Sequence, residues 1–163
     1  SNLILFDVFH HLRYPGDALR EFKRVLFPSG RVLIFEPAVS CLGRLVYGLV
    51  HPEPLALSKP IQWHRPGTIS PEQDGYYAAQ GNASRIFTGA GAERLVPDWR
   101  VVETTRLSAI SYVAGGGFSR LQLYPLRAYA LMKRLDTWCD RFPALFATRM
   151  LVVLEKASVP VGA

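Results

Sequence analysis

An α/β fold with a partly parallel sheet is what this sequence predicts, and three observations point to it. Leu3-Ile4-Leu5-Phe6-Asp7-Val8-Phe9 and Val32-Leu33-Ile34-Phe35 are nearly unbroken apolar runs, the pattern of strands buried on both faces. Between them lies a segment of helical period. The chain has 163 residues, 49% hydrophobic and 20% charged, enough for one ordinary globular domain and unlike a disordered tail or a low-complexity repeat.

The elements follow in order. After the first strand, Gly16-Asp17 opens a helix with Asp17 as its expected N-cap. Ala18, Leu19, Phe22, Val25 and Leu26 form its apolar stripe, and Arg20, Glu21, Lys23 and Arg24 face outward. Pro28-Ser29-Gly30 stops the helix, and the second strand closes at Glu36-Pro37. Strand, helix, strand is a βαβ unit with a right-handed crossover. Ser40 to Val50 reads as a short helix. Pro52, Pro54, Pro60, Pro66 and Pro71 follow, with Trp63, His64, Tyr76 and Tyr77 among them, so residues 38–82 read as a lid or binding excursion. Ala83 to Leu95 is a short helix with Phe87 and Leu95 inward. Asp98 to Leu107 is a third strand anchored by Trp99, Val101 and Val102. Gly115-Gly116-Gly117 is a turn, and Pro125 suits a helix start. Ala128, Leu131, Leu135, Trp138 and Phe142 then make the most regular helical stripe in the chain. Thr148 to Lys156 is the last strand, and residues 158–163 are a frayed tail.

Nineteen Lys and Arg against thirteen Asp and Glu give a net charge of +6. The densest basic groups, Arg20/Lys23/Arg24 and Lys133/Arg134, fall on outward helix faces. No basic stripe is interleaved with aromatics, so nucleic acid is not an expected partner. Cys41 and Cys139 lie outside any C-x-x-C pair and read as free thiols of a reducing compartment. The longest apolar stretch, Ala38 to Val50, contains Arg44 and is short of the ~20 residues of a membrane span. No signal peptide pattern is visible, and a cytoplasmic location is expected.

In open α/β sheets, ligands bind beyond the carboxyl ends of the strands. That rule selects Asp7 to Leu12, then Glu36-Pro37 with the excursion behind it, then the loop after Leu107. Asp7, His10, His11 and Glu36 should crowd one edge as an acid/base set, or the histidines serve as buried hydrogen-bonding groups. His10, His11, Glu36, His51 and His64 lack the short spacings of a metal site, so no metal is expected. Glu53 reads as a solvated loop carboxylate. There is no G-x-S-x-G elbow, Gly89-Ala90-Gly91-Ala92 lacks a preceding strand, and no Lys-Ser/Thr follows Gly115-Gly116-Gly117.

Asn2 to Leu12, Ala18-Leu19-Arg20-Glu21, Arg24 to Ile34 and Glu36-Pro37 together resemble the second half of a class I S-adenosylmethionine-dependent methyltransferase of the small-molecule, type 11-like kind. The resemblance implies a partial Rossmann-like sheet holding the family's fourth to seventh strands, in the order fourth, fifth, seventh, sixth, with the last antiparallel. It implies that residues 1–157 are the C-terminal part of the domain, with 38–82 as a substrate-side insertion. Phe6, Asp7, Val8 and His11 would then flank the methionine half of S-adenosylmethionine. Asp7, His10 and His11 would lie near the transferred methyl, with His10 or His11 as the base. Glu36, His51, Trp63 and His64 would face a small, apolar or lipid-linked substrate. Asn2 stands where the family usually has Asp, and Phe27 and Ser29 replace its common Lys and Gly. The family's Gly-rich cofactor loop and its ribose-binding acid have no counterpart here, so about 90 residues, three βα units, are expected ahead of Ser1. The first strand can pair only with the second within this chain, which leaves one apolar edge open to association. The rival expectation is therefore a non-catalytic half-domain that associates through that edge.

Overall fold

Four strands form one open, mixed sheet in the order β1-β2-β4-β3: β1 (Asn2–Phe6), β2 (Arg31–Pro37), β3 (Trp99–Leu107) and β4 (Arg149–Lys156). The structure, a computed structural model, describes residues 1–49, 51–67, 75–88, 98–117 and 121–157. β1 and β2 are parallel, and β4 runs antiparallel to both its neighbours. Helix α1 (Pro15–Val25) makes the crossover between the parallel pair.

Register sets one face of the sheet. Leu5 pairs with Ile34 and Ile34 with Val152, and Val32 pairs with Leu154. These residues form the core with Leu19, Leu26, Phe9, Trp99 and the α3 (Asn82–Phe87) residues Ala83, Ile86 and Phe87. Alternation sends Ile4 and Phe6 to the other face, where they are 75% and 63% exposed and Phe6 stacks on Phe35. Among the described residues β1 is an edge strand with one open face, short of the burial on both faces that its apolar run predicts.

β1 also ends earlier than expected. Asp7 adopts φ 53°, in the left-handed region that Asp tolerates better than most residues, and turns the chain into a 3₁₀ turn at Phe9–His11. α1 begins at Pro15, with Tyr14 as N-cap, because proline's fixed φ suits the first helical turn. Asp17 sits inside that turn. Its carboxylate accepts the Arg65 N–H (2.7 Å) and lies 2.8 Å from His64 Nδ1, tying the excursion to the helix. Gly16 lies under the same strap: its N–H donates to the Trp63 carbonyl (2.9 Å), which would sit 2.7 Å from an added Cβ.

Helix α2 (Cys41–Leu49) is capped by Ser40, whose Oγ accepts the Gly43 N–H (2.9 Å). α3 ends at Phe87; Leu95 and Gly89 to Ala92 lie outside the described residues. Trp99 anchors β3, but a register shift between Val101 and Glu103 leaves Val101 and Val102 each 39% exposed. The regular stripe of helix α5 (Tyr129–Cys139) faces outward, with Leu131 67% and Trp138 51% exposed. Asp136 and Cys139 are the buried residues of that helix. The Asp136 carboxylate accepts the Ser111 N–H (3.0 Å) and its hydroxyl at the start of α4 (Ile110–Ala114), so a polar clamp docks α5. A short helix, α6 (Pro143–Phe146), leads into β4. Both cysteines are free, Cys41 exposed and Cys139 buried. Among the described residues no helix is long and apolar enough to cross a membrane.

Candidate active site

Glu36 closes β2 with its side chain fully buried. A buried carboxylate must be paired, and four donors meet this one. Oε1 accepts the N–H groups of Val8 (2.8 Å) and Phe9 (2.6 Å). Oε2 accepts the His10 N–H (3.3 Å) and lies 2.6 Å from His10 Nδ1. The negative side chain thus caps the 3₁₀ turn beyond β1 and fixes the His10 ring.

The other ring nitrogen of His10, Nε2, is 3.2 Å from Glu53 Oε2. Burial pulls the His10 pKa down, but the hydrogen bond and charge of Glu36, with those of Glu53, outweigh it and raise the pKa above its ordinary 6.5. Glu53 corrects the expectation of a solvated loop acid: its side chain is 17% exposed and accepts bonds from the Tyr76 hydroxyl and from Gln80 Nε2 (2.5 Å). Burial raises the Glu53 pKa, but these bonds and the two histidines more than offset it and hold the group ionised. The His11 ring packs 4.1 Å from that of His10; its Nδ1 lies 3.0 Å from the Tyr77 carbonyl and its Nε2 3.6 Å from Glu53 Oε1. His51 accepts the Glu53 N–H at Nδ1 (3.2 Å), and burial lowers its pKa.

His10, His11, His51 and Glu53 line a cavity of about 160 Å³ with Asp7, Pro37, Gln80, Tyr112 and Arg149. Arg149 donates to the Asp7 carboxylate, and its guanidinium lies over the rings of Phe35 (5.5 Å) and Tyr112 (5.6 Å). Tyr112 also borders a larger, more open hollow of about 740 Å³ with Tyr124, Leu126, Tyr129 and Lys133.

The fold therefore brings together Asp7, His10, His11, His51 and, behind them, Glu36. Trp63 and His64 lie elsewhere, on a separate hollow with Gly16, Leu19, Arg20 and Trp99 at the start of α1. Phe6 and Val8 stand at the open edge beside Asp7, 63% and 45% exposed. Sequence reasoning missed Arg149, Gln80 and Tyr112. Arg149 had a topological signal: an antiparallel last strand begins where the parallel strands end, here opposite Pro37. Gln80 had none, because it reaches the site through the bridge between Leu55 and Gln80 that closes the excursion. No protein-family model matches the chain, and no curated protein matches it.

Proposed function

We propose that this chain is the second half of a class I S-adenosylmethionine-dependent methyltransferase domain acting on a small molecule. The observation that carries this is the strand order β1-β2-β4-β3 with β4 antiparallel, the order the resemblance implies for the family's last four strands. The site's position beyond the carboxyl ends of β1 and β2 supports it. Two free cysteines are in keeping with a reducing compartment.

The residues present fit the methionine half of the cofactor, since Phe6 and Val8 leave an apolar flank beside Asp7. They supply no Gly-rich loop or ribose-binding acid for the adenosine half. When bound, the cofactor supplies an electrophilic methyl group on a sulfonium. The chain's own residues orient the acceptor. Arg149, held by Asp7, presents a fixed positive charge, and the aromatic hollow that shares Tyr112 suits an apolar body. Glu53 and His11 are the accessible pair beside the acceptor, while His10 is locked by Glu36. Positioning contributes most of such a reaction's acceleration.

Calorimetric titration of S-adenosylhomocysteine into this chain, and into the chain joined to the upstream residues of its natural coding sequence, tests the proposal. Tight binding by the longer protein and weak binding by this chain is the expected result. Failure of the longer protein to bind refutes it. The open edge of β1, flanked by exposed Ile4 and Phe6, favours a second reading, a non-catalytic half-domain that associates through that edge. Phe6→Glu would then abolish self-association in sedimentation, with no cofactor binding by either protein.

A further inference from the structure

We propose that His10, His11 and Glu53 form a binding site for one divalent cation of the zinc class. The inference goes beyond methyl transfer and stands whether or not the chain transfers methyl groups. It begins with the tautomers. His10 Nδ1 faces the Glu36 carboxylate and His11 Nδ1 faces the Tyr77 carbonyl, both groups that only accept. Each Nδ1 therefore carries a hydrogen, and Nε2 is the atom each ring offers a metal, which on binding displaces any proton that Nε2 shares with Glu53. Both Nε2 atoms point to the same carboxylate, Glu53. A histidine whose Nδ1–H is held by a carboxylate or carbonyl while Nε2 is aimed at a shared point is the usual arrangement around a bound metal.

The spacing agrees. Bonds of about 2.0–2.1 Å in a tetrahedron place neighbouring ligand atoms roughly 3.3 Å apart. His10 Nε2 lies 3.2 Å from Glu53 Oε2 and His11 Nε2 lies 3.6 Å from Glu53 Oε1, and one ligand atom of each residue lies within 4.8 Å of the others, so a bound ion would draw the three inward. Charge agrees as well. Glu36 and Glu53 bring two negative charges to two imidazoles, and Asp7 and Arg149 neutralise each other. Gln80, 1% exposed, holds Glu53 through Nε2, and its Oε1 has no hydrogen-bond partner. Three ligands leave a tetrahedral ion one position, towards the cavity of Asp7, Tyr112 and Arg149, for an oxygen of water or of an acceptor. Two nitrogens and one oxygen select zinc or cobalt over magnesium, which prefers an all-oxygen octahedron.

The test uses tag-free protein freed of metal by chelator, titrated with Zn²⁺ by calorimetry and with Co²⁺ by visible absorption. The expected result is one ion per chain, with the absorption of low-coordinate Co²⁺, and no displacement by Mg²⁺. His11→Ala and Glu53→Gln should each weaken Co²⁺ binding by more than the roughly 10–100-fold typical of losing an outer partner. Their far-UV circular dichroism should match the wild type, and His64→Ala, at an exposed histidine outside the site, should bind normally. No saturable Zn²⁺ binding by the wild type, or unchanged binding in both His11→Ala and Glu53→Gln, overturns the proposal. S-adenosylhomocysteine binding, measured separately, tests the methyltransferase reading and is unaffected by either result.

Discussion

Glu36→Gln probes the device that shapes the whole site. The substitution keeps size and shape but replaces one acceptor oxygen with an NH₂ group. Turned towards Val8 and Phe9, the amide meets two N–H groups donor against donor; turned towards His10, it opposes the backbone N–H while the ring accepts at Nδ1 and keeps its hydrogen on Nε2, and in either case the surviving contacts no longer meet a charge. Hydrogen bonds contribute about 1.5–3 kcal/mol each to a charged group and about 0.5–1.5 kcal/mol to a neutral one, so losing one contact and neutralising three costs roughly 3–5 kcal/mol. That matches the cost of removing one partner of a buried ion pair and is a large share of a typical 5–15 kcal/mol stability. At about 2–4 °C per kcal/mol for a chain of this size, Tm should fall on the order of 10 °C. Urea denaturation followed by circular dichroism measures the change, with the slope unaltered if the folded state stays compact. A Glu36→Gln protein within ~0.5 kcal/mol of wild type, the range of an ordinary surface change, would show that Glu36 does not hold the turn.

Other substitutions test the packing. Gly43→Ala would drive a Cβ to 2.2 Å from the Ala38 carbonyl, so urea denaturation should show a loss of about 1–3 kcal/mol from overpacking at α2. A double-mutant cycle on Asp7→Asn and Arg149→Met should give a coupling of about 0.5–3 kcal/mol, whereas additive single losses would mean that the ion pair is incidental. Leu131→Glu on the outward face of α5 should leave stability within ~0.5 kcal/mol by the same assay, against the 2–5 kcal/mol of a truncated core leucine.

The contrast between exposed Leu131 and buried Leu5 explains what could be read from the sequence. Strands β1, β2 and β4 were legible because each carries a run of large apolar residues too long for a loop, and α1 because its stripe abuts that core. Periodicity identifies a helix face without saying what the face touches. In α5 the apolar stripe points out and a buried aspartate, Asp136, docks the helix. At the site, Asp7, His10, His11 and Glu36 were legible because strand ends converge by topology. Glu53 was not: it lies 43 residues from His10, among prolines, and becomes a partner only when the excursion folds back and the Ala79 N–H donates to the His10 carbonyl. Trp63 and His64 share the excursion's composition, but Gly16 and Asp17 draw them to a separate hollow at the start of α1.

Hydrogen exchange, followed by mass spectrometry on the protein extended by its upstream residues, locates the cofactor most directly. On adding S-adenosylhomocysteine, the amides of Phe6 to Leu12, where Glu36 pins the turn, should gain protection, while those of α1's strap at Trp63 and His64 should not. Binding that leaves Phe6 to Leu12 unprotected, or no binding at all, would show that the edge beyond β1 is not a methyltransferase cofactor site.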